Sequence, residues 1–305
     1  MANSVLITGA SGLVGKRLTE ILIQKGYQVS HLGRSNRSGA IPSFVWDVDK
    51  GQMDAQALQG VDAIINLAGT GVAEKRWTPQ RKKEILESRT KSCTLLYETL
   101  KRTKHRVKAL VSASAIGYYG YGLDSKVLTE ESLPGNDYLS KVVVDWEKAI
   151  DSITSIGIRV VKIRIGIVLS ERGGALIEMA RPVKWGIGSP LGSGKQMVSW
   201  VHLDDLCGII VKAVGDDSMK GAYNAVAPRP VTNREITKAI GKVLKRAVWL
   251  PNVPGFVLSM VVGEMAAVVV NGATVSSDKI QRAGYEFQFT ELDHALDDLM
   301  RSPKA

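Results

Sequence analysis

Two rhythms of apolar residues alternate through the first half of the chain. SVLIT, YQVSHL, FVW and DAIINLA are short runs of strand character, while LVGKRLTEILIQKG, between the first two, carries its apolar residues at helical spacing. Another helix is expected to start at Thr78, whose side chain can cap free amides, with Pro79 at the first helical position. It should run through ILESRTKSCTLLYETL to the strand KALVSASA. LSKVVVDWEKAIDSI then reads as helix, and the β-branched IRVVKIRIGIVL as a buried parallel strand. Strands that alternate with crossover helices predict an α/β fold, a doubly wound parallel sheet of Rossmann type with helices on both faces.

After Gly173 the periodicity breaks. The glycine-rich stretch from there to Leu206 reads as a loop-rich insertion rather than another strand–helix unit. GAYNAVAP restores one strand, and VTNREITKAIGKVL opens with a capping box, Thr232 preceding Glu235 by three. The expected division is a dinucleotide-binding domain over 1–170, to which 199–227 returns. A small, mixed and mostly helical substrate domain would comprise 171–198 and 228–305, with a cleft between the two. The segment Val253 to Val270 is almost wholly apolar, but Glu264 interrupts it and prolines precede it. The reading is a helix buried in the C-terminal part and no membrane span.

Composition narrows the function classes. Lys and Arg outnumber Asp and Glu by 40 to 30, a formal +10 that suits nucleic acid, an anionic membrane or a phosphorylated small molecule. The densest cluster, Lys101 to Lys108, falls at a helix end, where cations complement open carbonyls, and no aromatic side chains are interleaved with it to stack bases. Nucleic-acid binding is therefore not expected, and a small-molecule substrate is. A homodimer is the expected assembly if the chain associates, though no sequence feature specifies it. Cys93 and Cys207 sit in apolar runs without paired spacing, so they read as buried thiols, with no metal site. No basic segment followed by an apolar stretch opens the chain, which makes a cytoplasmic home the default expectation.

The candidate chemistry begins at ITGASGLVG. Gly9 permits a tight turn after the first strand, Gly12 lets backbone approach a pyrophosphate, and Gly15 lets the helix lie close to the strand. With Ala10, Ser11, Leu13 and Val14 they form a cradle at a helix N-terminus, where free amides attract an anion. The second strand ends in Arg34 and Ser35, where an acidic residue would bind the free ribose hydroxyl of NAD. An arginine suits a 2′-phosphate, so the expected cofactor is NADP, with NADPH preferred over NADH. Asp47 after the third strand is a candidate for the adenine amino group, and Leu67, Ala68 and Gly69 after the fourth are candidates for the cofactor wall.

These motifs resemble the short-chain dehydrogenases/reductases of extended type. TGASGLVG matches their glycine motif, INLAG the fourth-strand motif and VSASAIGYYG the fifth-strand motif. More narrowly, RWTPQRKKEILESRT, DWEKAI, RIGIVLSERGGAL, GSGKQMVSWVHLDDL and YNAVAPRPVTNREIT look like the atypical branch called epimerase family proteins, which includes human family 39U. The resemblance implies that Ser114 orients a substrate oxygen. It puts Ser112 on the cofactor strand, Arg164 and Gly166 beyond the nicotinamide, and Arg89 toward the pyrophosphate. It also implies a tyrosine and, four residues later, a lysine on one helix face, the lysine lowering the tyrosine pKa for proton transfer.

That pair is missing. Aligned on Glu147, the two positions fall on Leu139 and Val143, neither of which carries a proton. Tyr138 and Lys141 are three apart rather than four, and Tyr118 and Tyr119 follow Ser114 as replacement donors. His202, with Asp204 and Asp205, has the composition of an acid–base set, but its expected task is structural. The leading reading is an NADP(H)-dependent oxidoreductase that reduces a small carbonyl or quinone-like substrate. The alternative is a catalytically degenerate NADPH-binding regulator or scaffold of the cell-division-inhibitor kind. A nucleotide-sugar epimerase or dehydratase ranks third, because it needs the missing tyrosine.

Overall fold

The computed structural model describes residues 3–36, 39–121 and 126–301, so the outermost residues of the two expected domains lie outside it. Its centre is an eight-stranded sheet. β1 (Ser4–Thr8), β2 (Gln28–Gly33), β3 (Ser43–Asp47) and β4 (Gln52–Met53) form one half. β5 (Ala63–Asn66) and β6 (Ala109–Ala115) lead into the other half. β7 (Val127–Leu128) lies outside this sheet, and β8 (Arg159–Ile165) re-enters it. The short β9 (Ile167–Leu169), β10 (Met197–Val198) and β11 (Trp200–His202) precede β12 (Gly221–Ala225), and β13 (Val231–Thr232) and β14 (Thr274–Val275) follow it.

The sheet order is β12-β8-β6-β5-β1-β2-β3-β4, parallel except for the β3–β4 pair. The chain reverses its direction of travel across the sheet between β1 and β5. A crevice opens there at the carboxyl ends of the strands, because the crossover helices leave on opposite faces.

One face is covered by α1 (Leu13–Gln24), the other by α2 (Pro79–Arg102) and α3 (Tyr138–Asp151). The starts of α2 and α3 have local causes. Thr78 Oγ1 accepts from the Arg81 amide with Pro79 at the first position, and Asp137 accepts from the Ser140 amide. α4 (Ala175–Lys184) is an ordered helix inside the stretch that sequence reads as loop-rich; Gly173 and Gly174, both at positive φ, set it off from the preceding strand. α5 (Leu203–Gly215) returns to the α1 face of the sheet.

The capping box at Thr232 and Glu235 is formed in full and starts α6 (Asn233–Leu244). A separate apolar core unites α4 and α6 with a late helix through Leu176, Ala180, Val183, Ile236, Ile240 and Leu296. The Val253 to Val270 stretch corrects the sequence reading. It is two short helices, α7 (Gly255–Val262) and α8 (Ala266–Val270), broken at Gly263, whose φ is +65°. No residue of α7 is buried. α9 (Asp278–Arg282) and α10 (Leu292–Arg301), the helix in that separate core, complete the order. No helix of the described residues is long and apolar enough to cross a membrane.

Candidate functional site

A cleft of about 700 Å³ runs along the carboxyl ends of β1, β2 and β5, at the switch point. Gly9, Ala10, Ser11 and Gly12 form its floor, Gly33, Arg34 and Ser35 one wall, and Leu67, Ala68 and Gly69 the other. The turn at its base cannot be built from larger residues. Gly9 has φ +69°, and a Cβ there would stand 2.6 Å from the Leu67 carbonyl oxygen. A Cβ on Gly15 would stand 2.5 Å from the Gly9 carbonyl, so the missing side chain is what lets α1 lie against the turn.

Leu13 and Val14 occupy the first turn of α1, which has neither a side-chain cap nor an acidic residue. Its leading amides are available to an anion in the cleft. The two strands at the switch point are locked by Thr8: its hydroxyl donates to Asn66 Oδ1 at 2.7 Å and accepts from the Leu67 and Ala68 amides.

Other candidates stand elsewhere. The Asp47 carboxylate closes the β3–β4 turn onto the Lys50 amide and ammonium, which hold its pKa below the usual range; Trp46, Val48 and Asp49 line the cleft instead. Ser112 is wholly buried, accepting from Asn66 Nδ2 and donating to the Ala113 carbonyl. Gly166 is enclosed, a Cβ there falling 2.5 Å from the Ser199 carbonyl. Arg89 packs behind Gly69, donates to the Ile85 carbonyl and lies over the Trp146 ring. Burial pushes its guanidinium down to about 10, with Arg81 adding to the effect.

The proton-handling candidates are not gathered into one relay. Ser114 donates to Glu147 Oε1 at 2.6 Å. Glu147 is also held by Arg164, through Nε at 2.8 Å and Nη2 at 3.0 Å, with Lys162 at 3.5 Å. Both members of this pair are inside the protein, Glu147 4% and Arg164 3% exposed. Burial pushes the Glu147 carboxyl up, but the Arg164 hydrogen bonds and charge, Ser114 and Lys162 outweigh it and leave the pKa lowered. Arg164 on β8 thus braces α3 through this pair.

Tyr119, fully buried, donates to Asn224 Oδ1 at 2.7 Å and accepts from Arg164 Nη1 at 3.0 Å. Burial pushes its phenol up to about 12, which disfavours ionisation. Tyr138 donates to the Lys82 carbonyl and packs edge-on against Trp77, while Lys141 is exposed. Leu139 and Val143 are the side chains that face Gly117, each 3.8 Å from where its Cβ would be. Tyr118 packs its ring 3.5 Å from the Arg164 guanidinium carbon, and no hydrogen bond ties its hydroxyl among the described residues. His202 caps α5 by accepting from the Asp204 amide, stacks on Phe289 and lies 3.3 Å from Asp298. Asp204 pairs with Arg17, and Asp205 holds the Gln288 and Phe289 amides, so the three act as braces.

Sequence reasoning missed part of the cleft. Arg81, Glu84, Ser88 and Ser92 line it from α2, and Arg81 donates to the Gly71 carbonyl at 2.6 Å to shape the loop above. Their spacing of three, four and four puts them on one helix face, a signal present in RWTPQRKKEILESRTKS. Nothing local in DWEKAI marks Glu147 as the partner of Ser114 and Arg164.

Comparison with known proteins agrees with this geometry. Residues 5–225 match the NAD dependent epimerase/dehydratase family, and residues 253–299 a domain of unknown function, DUF1731. The epimerase family protein YfhF of Bacillus subtilis is 35% identical over 304 residues, 99% of each chain. A chloroplastic SDR39U1 homolog of Arabidopsis thaliana is 37% identical, covering 98% of this chain and 87% of that protein. Among solved structures, human epimerase family protein SDR39U1 with NADPH superposes with a TM-score of 0.88 at 32% identity, covering 98% of this chain and 99% of that one.

Proposed function

The chain belongs to the NAD-dependent epimerase/dehydratase family, and from that premise we propose that it is an NADP(H)-dependent oxidoreductase of the extended short-chain dehydrogenase/reductase type, reducing a small carbonyl or quinone-like molecule. The observation that carries the reading is Arg34, exposed on the wall of a cleft whose floor is the Gly9–Gly12 turn, with no acidic residue ending β2. The human relative crystallised with NADPH supports the same choice of cofactor.

The residues fit such a group, since the collisions at Gly9 and Gly15 and the open amides of α1 describe a cradle for a diphosphate. Bound there, the reduced nicotinamide supplies hydride. Leu13 and Val14 amides would hold the diphosphate, Arg34 and Ser35 the 2′-phosphate, and Leu67 to Gly69 the flat face of the wall. Leu139 and Val143, the α3 side chains that face Gly117, carry no proton donor, which argues against a nucleotide-sugar epimerase that would rely on a tyrosine there. With Ser114 committed to Glu147, the proton for the reduced oxygen is left to Tyr118 or to water. Hydride transfer relies chiefly on positioning, so the missing pair slows the reaction without abolishing it.

The bond from Ser114 to Glu147, together with the buried hydroxyl of Tyr119, favours a second reading, a cofactor-binding regulator without turnover. Titration with NADPH and NADH, followed by fluorescence, separates the outcomes. Arg34→Ala should weaken NADPH by roughly ten- to a hundredfold, the loss of one charged hydrogen bond, and leave NADH unchanged. NADPH oxidation with a panel of apolar quinones and carbonyls supports the enzyme. Inertness across that panel with tight NADPH binding supports the regulator, and no saturable binding of either nucleotide refutes both.

A further inference from the structure

The segment that sequence assigns to the interior is on the surface, and it is not alone there. In α7, Phe256 is 68% exposed and Met260, four residues on and therefore on the same side of the helix, is 65% exposed. Trp249 in the preceding loop is 73% exposed, and Trp185 at the end of α4 is 71% exposed. Two loops bring these parts together. Leu191 pairs with Val253 in parallel register, Val253 donates to the Pro190 carbonyl, and Ser189 donates to the Pro251 carbonyl. Ile187, four residues before Leu191 on the same loop, is itself exposed. Large apolar side chains from three elements thus share one region of surface, more than scattered exposure explains.

The charge around it is one-sided. No Asp or Glu occurs between Glu178 and Asp204, or between Glu235 and Glu264, while Arg181, Lys184, Lys195, Lys238, Lys242, Lys245 and Arg246 do. Arg181 and Lys242 pair with Glu178 and Asp293. Lys184, beside Trp185, and Lys245 and Arg246, just before Trp249, are exposed and pair with no carboxylate among the described residues.

We propose that the face built from Trp185, Ile187, Trp249 and the Phe256–Met260 side of α7 docks the protein onto an anionic lipid surface. Tryptophans suit the headgroup boundary, with an apolar body and a polar N–H. Phe256 and Met260 supply the shallow apolar insertion, and the basic residues beside the tryptophans meet lipid phosphates. A second copy of the chain is the poorer occupant. A two-fold contact on this face would set Lys184, Lys245 and Arg246, none of which pairs with a carboxylate among the described residues, against their own counterparts.

The test uses the full chain and sedimented vesicles of phosphatidylcholine alone or mixed in equal parts with phosphatidylglycerol. The wild type is expected to pellet with the mixed vesicles, to stay in solution with the neutral ones, and to be released by salt. A Phe256→Ser/Met260→Ser variant and, separately, a Lys184→Glu/Lys245→Glu/Arg246→Glu variant should each lose binding by about tenfold or more, with the far-ultraviolet circular dichroism and melting temperature of the wild type. Because these side chains are exposed, both variants should fold, and melting checks it. The proposal is overturned if the wild type does not pellet with the mixed vesicles at low salt, or if neither variant reduces binding. It is equally overturned if sedimentation velocity shows a dimer that the Phe256→Ser/Met260→Ser variant dissociates.

Discussion

Replacing Glu147 with glutamine removes one charge and nearly nothing else. The amide keeps an oxygen for Ser114 and the volume that α3 packs against β6 and β8, but Arg164, 3% exposed, is left as a buried cation whose two hydrogen bonds to a carboxylate are gone. Tyr119 and the Glu130 carbonyl still accept from Arg164, yet neither carries a charge. Breaking a buried pair from one side costs about 3–5 kcal/mol, because the survivor's desolvation is no longer offset. In urea unfolding at neutral pH that amounts to a fall of about 1–2 M in midpoint if the slope is unchanged. A Glu147→Leu/Arg164→Met double variant, which removes both charges, should recover to within about 1–2 kcal/mol of the wild type.

The pH dependence follows from the lowered pKa of Glu147. The stabilisation is complete above the ordinary carboxylate range and is lost as pH falls through the lowered folded value, so Glu147→Gln should flatten the acid limb of the stability profile. A Glu147→Gln protein within about 0.5 kcal/mol of the wild type, or with an unchanged acid limb, refutes the assignment of this pair as a buried structural charge pair.

Gly9→Ala puts a Cβ against the Leu67 carbonyl at a positive φ; a loss of about 2 kcal/mol or more in unfolding free energy, together with weakened nucleotide binding, is expected by denaturation and titration. Asp205→Asn exchanges one acceptor oxygen for a donor facing the Gln288 and Phe289 amides and the Tyr285 hydroxyl; a cost of about 2–3 kcal/mol should appear as faster hydrogen exchange at those amides. Burial pushes the Cys93 thiol up to about 11 and the Cys207 thiol up to about 12, so a thiol reagent at mildly alkaline pH should label neither until the chain is unfolded.

Local signals carried the framework. Thr78 with Pro79, the Thr232–Glu235 box and the run SVLIT before the glycine turn are complete within a few residues, because capping and turn chemistry act between neighbours in the chain. The alternation of strand and helix was enough to predict a doubly wound parallel sheet, whereas the strand order, and with it the switch point where the cleft opens, is set by the pairing of distant strands. Arg34 is on the cleft wall as the residue after β2. Asp47 ends β3, yet a turn only a few residues long turns its carboxylate onto Lys50 instead.

Contacts between distant segments decided the rest. Sequence puts Ser114 where a catalytic serine belongs, and only the packing of α3 on β6 and β8 shows its proton committed to Glu147, 33 positions away. It names two tyrosines after Ser114 without distinguishing them; Asn224, 105 positions on, ties the Tyr119 hydroxyl and leaves that of Tyr118. The apolar run from Val253 to Val270 has the composition of a buried helix, but burial requires cover from other segments, and the fold leaves every residue of α7 at least partly exposed. Periodicity and capping are read from neighbouring residues alone, whereas the partner of a buried charge and the cover of an apolar face depend on which segments the tertiary fold brings into contact.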